Sequence, residues 1–321
     1  MWFIDELKKL QQTMPRIALV SSNSENSDYT NYAYKNKNCY LIFGGHYCED
    51  THYSQYPFKT KDCTDCDKLT QSELCYECVF GSNLYDCNYL YNCFTCANCE
   101  FGFDLVNCRD CFLCANLRNV QYHIRNKQFS KDDYFQEIEK LKQYSAEQLL
   151  EELERMRRSV PHVASLQKNC ENCTGSFLEN SRNLTNCFYC TDVEDCIYMG
   201  TNIDAAKDSM DCDCIGYDPS ELLYECIGNS GNHNCNFCNA CWHNSDLEYC
   251  DMVFNSRSCF GCVSRSHAEY EILNKKYSKE EYERKVQEIK DELRAQNLYG
   301  KWLLESTHPY EDTVAELYYP S

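Results

Sequence analysis

The chain has 321 residues, 27 of them cysteine, and a formal net charge of −19. That charge repels nucleic-acid phosphates and anionic membrane surfaces, so neither is expected as a partner. An odd number of cysteines excludes complete internal disulfide pairing, and no apolar run is long enough to cross a bilayer as a helix.

The first ten residues, Met1-Trp-Phe-Ile-Asp-Glu-Leu-Lys-Lys-Leu, carry acids and bases through their apolar run. They read as an amphipathic helix, not a signal peptide, and with a linker they form a first segment over 1–26. A reducing cytoplasmic location is therefore expected, where spaced cysteines more often mean metal or a thiol core than disulfides.

Residues 27–126 are a cysteine lattice. Cysteine stands at 39, 48, 63, 66, 75, 78, 87, 93, 96, 99, 108, 111 and 114, all multiples of three, and a column at steps of twelve recurs. A fixed period of this kind marks a stacked repeat, here a β-solenoid of twelve-residue coils. Within each row cysteine favours the first, fourth and tenth places. The seventh place, with Gly45, Pro57, Gly81, Asn244 and Ser256, reads as a turn, although Leu69, Cys93 and Leu105 at the same place demand a core role. Before the first-column cysteines stand Asn38, Asp62, Asp86, Asn98 and Asp110, which suit a left-handed corner.

The lattice ends at Tyr122-x-Ile-x-Asn126-Lys-x-Phe-Ser130-Lys-Asp-Asp-Tyr134, and a cap helix is predicted over 131–158 within a segment 127–160. Ser130 is its expected N-cap, with an acid three residues on. Pro161 opens a second solenoid, 161–274, where Cys214, Cys226, Cys238, Cys250 and Cys262 are again twelve apart. This copy is looser. Cys170 and Cys173 are out of frame with Cys187 and Cys190, which implies a small insertion or deletion, and a loop is expected to leave the stack near 197–211. The terminating signal then repeats at an offset of 148, with Ser278 as N-cap of a second helix, 279–296, inside the segment 275–321. The expected fold is mainly β with helices: two tandem cysteine-rich β-solenoids, each capped by an α-helix, from an internal duplication.

Two neighbouring C-x-x-C pairs bring four sulfurs into one volume. Cys63, Cys66, Cys75 and Cys78 have spacing compatible with tetrahedral zinc, and Cys96, Cys99, Cys108 and Cys111 repeat it. Cys235, Cys238, Cys259 and Cys262 form a third candidate set from pairs two coils apart. The same ligands suit iron–sulfur clusters. Against this, the fourth and tenth places also hold Ile42, Ser54, Leu84, Leu90 and Leu247, and a metal ligand does not alternate with leucine whereas a core residue does. A zinc-binding scaffold and a metal-free thiol core presenting tyrosine-rich faces stand side by side, with a thiol redox protein behind them. No catalytic motif is present, and a protein partner or a homo-oligomer is the expected kind of interaction. The run Asn38-Cys39-Tyr40, the ladder through Cys114 and the twice-used Asn-Lys-x-[Phe/Tyr]-Ser-Lys-acid-acid-Tyr tail resemble a cysteine-rich family of candidate-phyla (CPR/Patescibacteria-type) bacteria without an assigned activity. That resemblance implies the solenoid-plus-helix plan and carries over no catalytic residue.

Overall fold

A computed structural model describes residues 2–194, 203–204, 242–301, 303, 306–313 and 316. It is mainly β: a β-solenoid of stacked parallel coils with a few helices. The period of three is a backbone property. From Asn23 to Arg125 every third residue has φ between +46° and +66°, so each twelve-residue coil turns at four left-handed corners. Each side is three residues: one inward, one outward, one corner. The corners predicted at Asn38, Asp62, Asp86, Asn98 and Asp110 are all left-handed. Tyrosine, leucine, lysine and phenylalanine occupy others, as at Tyr53, Leu74, Lys68 and Phe101. Such residues avoid that region when free, so the ladder imposes it.

That ladder accounts for two of every three backbone N–H groups. The outward residue donates to the carbonyl eleven residues later, as Glu49 to Thr60 at 3.0 Å, and the corner residue donates thirteen back, as Asp50 to Lys37 at 3.0 Å. Cα partners are twelve apart: Cys63 with Cys75, Cys99 with Cys111, Cys259 with Glu271. The third N–H, that of the inward residue, points into the core and must find its partner there.

The seventh place is inward in every described coil, so the turn reading fails. Gly45, Pro57, Leu69, Gly81, Cys93 and Leu105 are all buried. Small residues there answer large neighbours. A Cβ on Gly81 would lie 2.7 Å from Leu84 Cδ1, and one on Gly102 would lie 2.6 Å from Leu105 Cδ1. The core is thin, and side-chain volumes balance around each coil.

The chain divides into two compact units, residues 18–162 with 310–321 and residues 1–17 with 163–309. In the first, parallel strands run to Gln121–Ile124, which pairs antiparallel with Lys127–Gln128. Asn126, the Asn of the repeated tail, works as a false strand: its side chain accepts from Ala115 N–H at 2.9 Å and donates to Ala115 carbonyl at 2.9 Å. Asn274 does the same to Val263.

Helix α1 spans Trp2–Thr13, α2 Lys131–Leu141, α3 Ala146–Ser159 and α4 Lys279–Ala295. Ser130 and Ser278 are N-caps, accepting from the backbone N–H of Asp133 and Glu281. The single helix predicted over 131–158 is two helices, because Ser145 starts a new one with Gln148 completing a capping box. Tyr134, Ile138, Leu149 and Leu153 pack on Phe101, Phe112 and Leu113. The Arg125–Glu152 ion pair ties α3 to the last coil and holds the Glu152 carboxyl below its ordinary value. A depressed carboxyl adds stability above its unfolded titration range, lost as pH falls through the folded value. The variant E152Q should therefore lose a modest increment of stability near pH 7, converge on the parent in acid and so flatten the acid limb of a stability–pH profile below about pH 4.3.

In the second unit the frame shift after Cys173 is resolved as a deletion. Gln167 pairs with Leu178, an eleven-residue step, and Gly175 with Cys187 restores twelve. Ile203–Asp204 pair parallel with Cys190–Thr191 at a step of thirteen, so part of the stretch expected to loop out stays in the stack. α1 belongs to this unit: Phe3 and Leu7 are buried among Tyr249, Phe260 and Val263 beside α4.

Candidate functional site

The inward N–H groups explain the composition of the core. Cys66 N–H donates to Ser54 Oγ at 3.2 Å, Leu84 N–H to Ser72 Oγ at 3.2 Å and Cys48 N–H to Asn36 Oδ1 at 3.0 Å, each twelve residues back. The serines pass a hydrogen bond on to the carbonyl two residues before themselves: Ser54 to His52 at 2.8 Å and Ser72 to Thr70 at 3.0 Å. Cysteine performs the same exchange. Cys63 Sγ donates to Lys61 carbonyl at 3.2 Å and Cys48 Sγ to His46 carbonyl at 3.4 Å. The backbone of Cys75 in turn hydrogen-bonds Cys63, and that of Thr60 hydrogen-bonds Cys48. A side chain here must be small, accept an N–H and donate to a carbonyl. Cysteine, serine, threonine and asparagine qualify; leucine fills the space but leaves the N–H above it unserved.

All twenty described cysteines are thiols, eighteen of them buried. Cys63, Cys66, Cys75 and Cys78 come together through linked contacts: Cys63 with Cys75, Cys75 with Cys78, Cys78 with Cys66. Cys96, Cys99, Cys108 and Cys111 close into a ring, each touching two others. Cys259 and Cys262 touch each other and meet Cys250 through Cys262, while Cys235 and Cys238 lie outside the described residues. Among the described residues, no three His, Cys, Asp or Glu side chains converge as metal ligands would. The contacts are pairwise.

Shared hydrogen bonds and burial push these thiols up. Contact with Cys75 raises Cys63, contact with Cys111 raises Cys99, contact with Cys108 brings Cys96 to about 11, and burial brings Cys39 to about 11. Cys114 is lowered, chiefly by its bond with Cys111. A thiol reagent at neutral pH should label Cys170 and Cys173, the two half-buried ones, far faster than any other described cysteine. Peptide mapping after brief alkylation tests this, and rapid labelling of Cys75 or Cys99 would contradict the packing.

Outside, aromatic residues form rows along the stack. Tyr29, Tyr40 and Tyr53 follow one another at 5.7 and 5.6 Å between ring centroids, with Tyr29 47% and Tyr53 52% exposed. The same face continues as Tyr76, Tyr89, Phe101 and Phe112, passing under the helices. A second row holds Tyr32, Phe43 and Tyr56, and Lys68 bridges from Tyr56 to Phe80. Tyrosine-rich faces are expected from the sequence; which residues form each row depends on the alternation of corner and outward places, as in Tyr29, Tyr40 and Tyr53. A cleft of about 300 Å³ along the first row is lined by Asn26, Asp28, Asn38, Tyr40, Asp50 and His52.

No family model and no curated protein matches the chain. Solved structures that it resembles include a candidate acetyltransferase from Desulfovibrio desulfuricans G20, at 9% identity and a TM-score of 0.14, covering 83% of this chain and 73% of that one. Another is the UDP-N-acetylglucosamine acyltransferase of Arabidopsis, at 9% identity and a TM-score of 0.10, covering 81% and 70%. Scores this low align neither coil nor site, and the acyl-transfer names describe those proteins alone. Among the described residues, no helix is long and apolar enough to cross a membrane.

Proposed function

We propose that the chain is a non-enzymatic interaction scaffold, built as two tandem β-solenoids from an internal duplication, each closed by helices, and holding a reduced thiol core in the cytoplasm. The exposed row Tyr29, Tyr40, Tyr53 carries this reading, because three large rings at coil spacing give a rigid apolar stripe on an acidic chain. The repeated tail and matching Asn126 and Asn274 pairings support the duplication. The core thiols support a structural role, since serine and asparagine do the same work in neighbouring coils. The partner is a protein or a second copy. Y29S/Y40S/Y53S should fold like the parent yet lose self-association in sedimentation, or lose the partner set cross-linked in cells. If both persist unchanged, the stripe is not the interface.

A second reading has its own observation, the linked contacts of Cys63, Cys66, Cys75 and Cys78 and the ring of Cys96, Cys99, Cys108 and Cys111, which support zinc binding by four neighbouring sulfurs. Native mass spectrometry and elemental analysis of anaerobically purified protein decide it, iron included. A structural site is nearly full in folded protein, so less than about 0.2 metal per chain rejects this reading.

A further inference from the structure

The thiol column of the first unit ends differently from that of the second. Above Cys111 the next coil places His123, its Cα partner, at an inward, half-buried position. His123 Nδ1 lies 2.8 Å from Gln121 carbonyl, which can only accept, so the proton sits on Nδ1 and the Nε2 lone pair is available. Metal-bound histidines are commonly held in this way. Below it, Cys111 touches both Cys108 and Cys114.

The second unit supplies an internal comparison at the offset of 148. Cys111, Cys114 and His123 correspond to Cys259, Cys262 and Glu271, and Cys108 to Ser256. Glu271 is Cα partner of Cys259 and is buried, but Arg265 grips both its oxygens at 2.8 Å. Leu117 stands where Arg265 stands, so in the first unit no guanidinium occupies the corresponding place.

We propose that Cys108, Cys111, Cys114 and His123, neighbours in the register whose side chains do not yet converge, are drawn together by zinc into a site at the end of the first column. Three thiolates and one imidazole are a common structural zinc set. Zn²⁺ replaces the three thiol protons, which pass to solvent, and the sulfurs exchange their carbonyl bonds for the ion. Cys111 turns from Arg109 carbonyl, 3.4 Å away, and Cys114 from Phe112 carbonyl, also 3.4 Å away. The half-buried His123 gives the ion an entry that the sealed Cys63–Cys78 set lacks. This site does not rest on the four-thiol reading; it takes Cys108 and Cys111 from the ring with Cys96 and Cys99.

The test is Co²⁺ and Zn²⁺ titration of the reduced full chain, with X-ray absorption of the zinc form. The expected result is one tight equivalent with three sulfurs and one nitrogen, kept in C96S/C99S and dropping below about 0.2 per chain in H123Q and L117R. H123C should restore binding with a four-sulfur spectrum, and circular dichroism confirms that each variant is folded. An ion bound by four sulfurs and indifferent to H123Q overturns this site while upholding the four-thiol ring. No bound ion overturns both.

Discussion

Replacement of Gly175 by alanine is expected to cost about 4 kcal/mol or more, enough to unfold its part of the second unit. Gly175 has φ of +123°, outside the range of ordinary residues, and a Cβ there would lie 1.8 Å from Cys187 carbonyl. The obstruction is backbone, in the next coil, and cannot rotate away. The position follows from the deletion: an eleven-residue coil must recover the register of its neighbours, and the chain does so where only glycine fits. G102A is the control. Its Cβ would meet leucine side chains at 2.6 and 2.7 Å, so overpacking of about 1–3 kcal/mol is expected. Urea unfolding of both variants decides the matter, and G175A as stable as the parent would show that the coil does not close as described.

The twelve-residue row was legible in the sequence because one inward column is so often cysteine: Cys63, Cys75, Cys87, Cys99 and Cys111 announce it. The reason for the period of three was not. Asn38 and Asp62 advertise a left-handed corner, but Tyr53, Leu74 and Phe101 adopt the same geometry against their own preference. Only the hydrogen-bond ladder forces them into it. The seventh place misled for a related reason. Glycine and proline ordinarily punctuate turns, whereas here Gly81 is small because Leu69 and Leu84 fill the space beside it. Among candidate site residues, spacing found the two four-cysteine sets that touch. It passed over His123, whose relevance depends on standing above Cys111 and on Leu117 replacing Arg265, facts that need the register.

The same ladder also decides what a core cysteine contributes. Each inward residue must accept an N–H from the next coil, and leaving that donor buried and unpaired costs about 1–3 kcal/mol. At Cys75, where sulfur neighbours lie on both sides, serine should therefore be better tolerated than alanine by about 1 kcal/mol. An apolar-core account predicts the reverse order, so thermal melts of C75S and C75A separate the two.

Replacement of Arg16 by alanine should destabilise the second unit by about 3–5 kcal/mol. Asp251 is 0% exposed, and its carboxylate is held by Arg16 and by Gln11 Nε2 at 2.9 Å, both brought by α1 and its C-terminal extension. Phe3, packed at 5.1 Å from Phe260 and 6.0 Å from Tyr249, fixes the other end of the helix. Removing the guanidinium leaves a buried charge without its counter-ion, which is worse than removing both partners. R16A/D251N should therefore recover a large part of the loss, since asparagine keeps an acceptor for Gln11 without the charge. Denaturant midpoints of the parent, R16A, D251N and the double variant close the cycle. If R16A loses less than about 1 kcal/mol, the carboxylate is served by solvent, and α1 is then held by its apolar face alone.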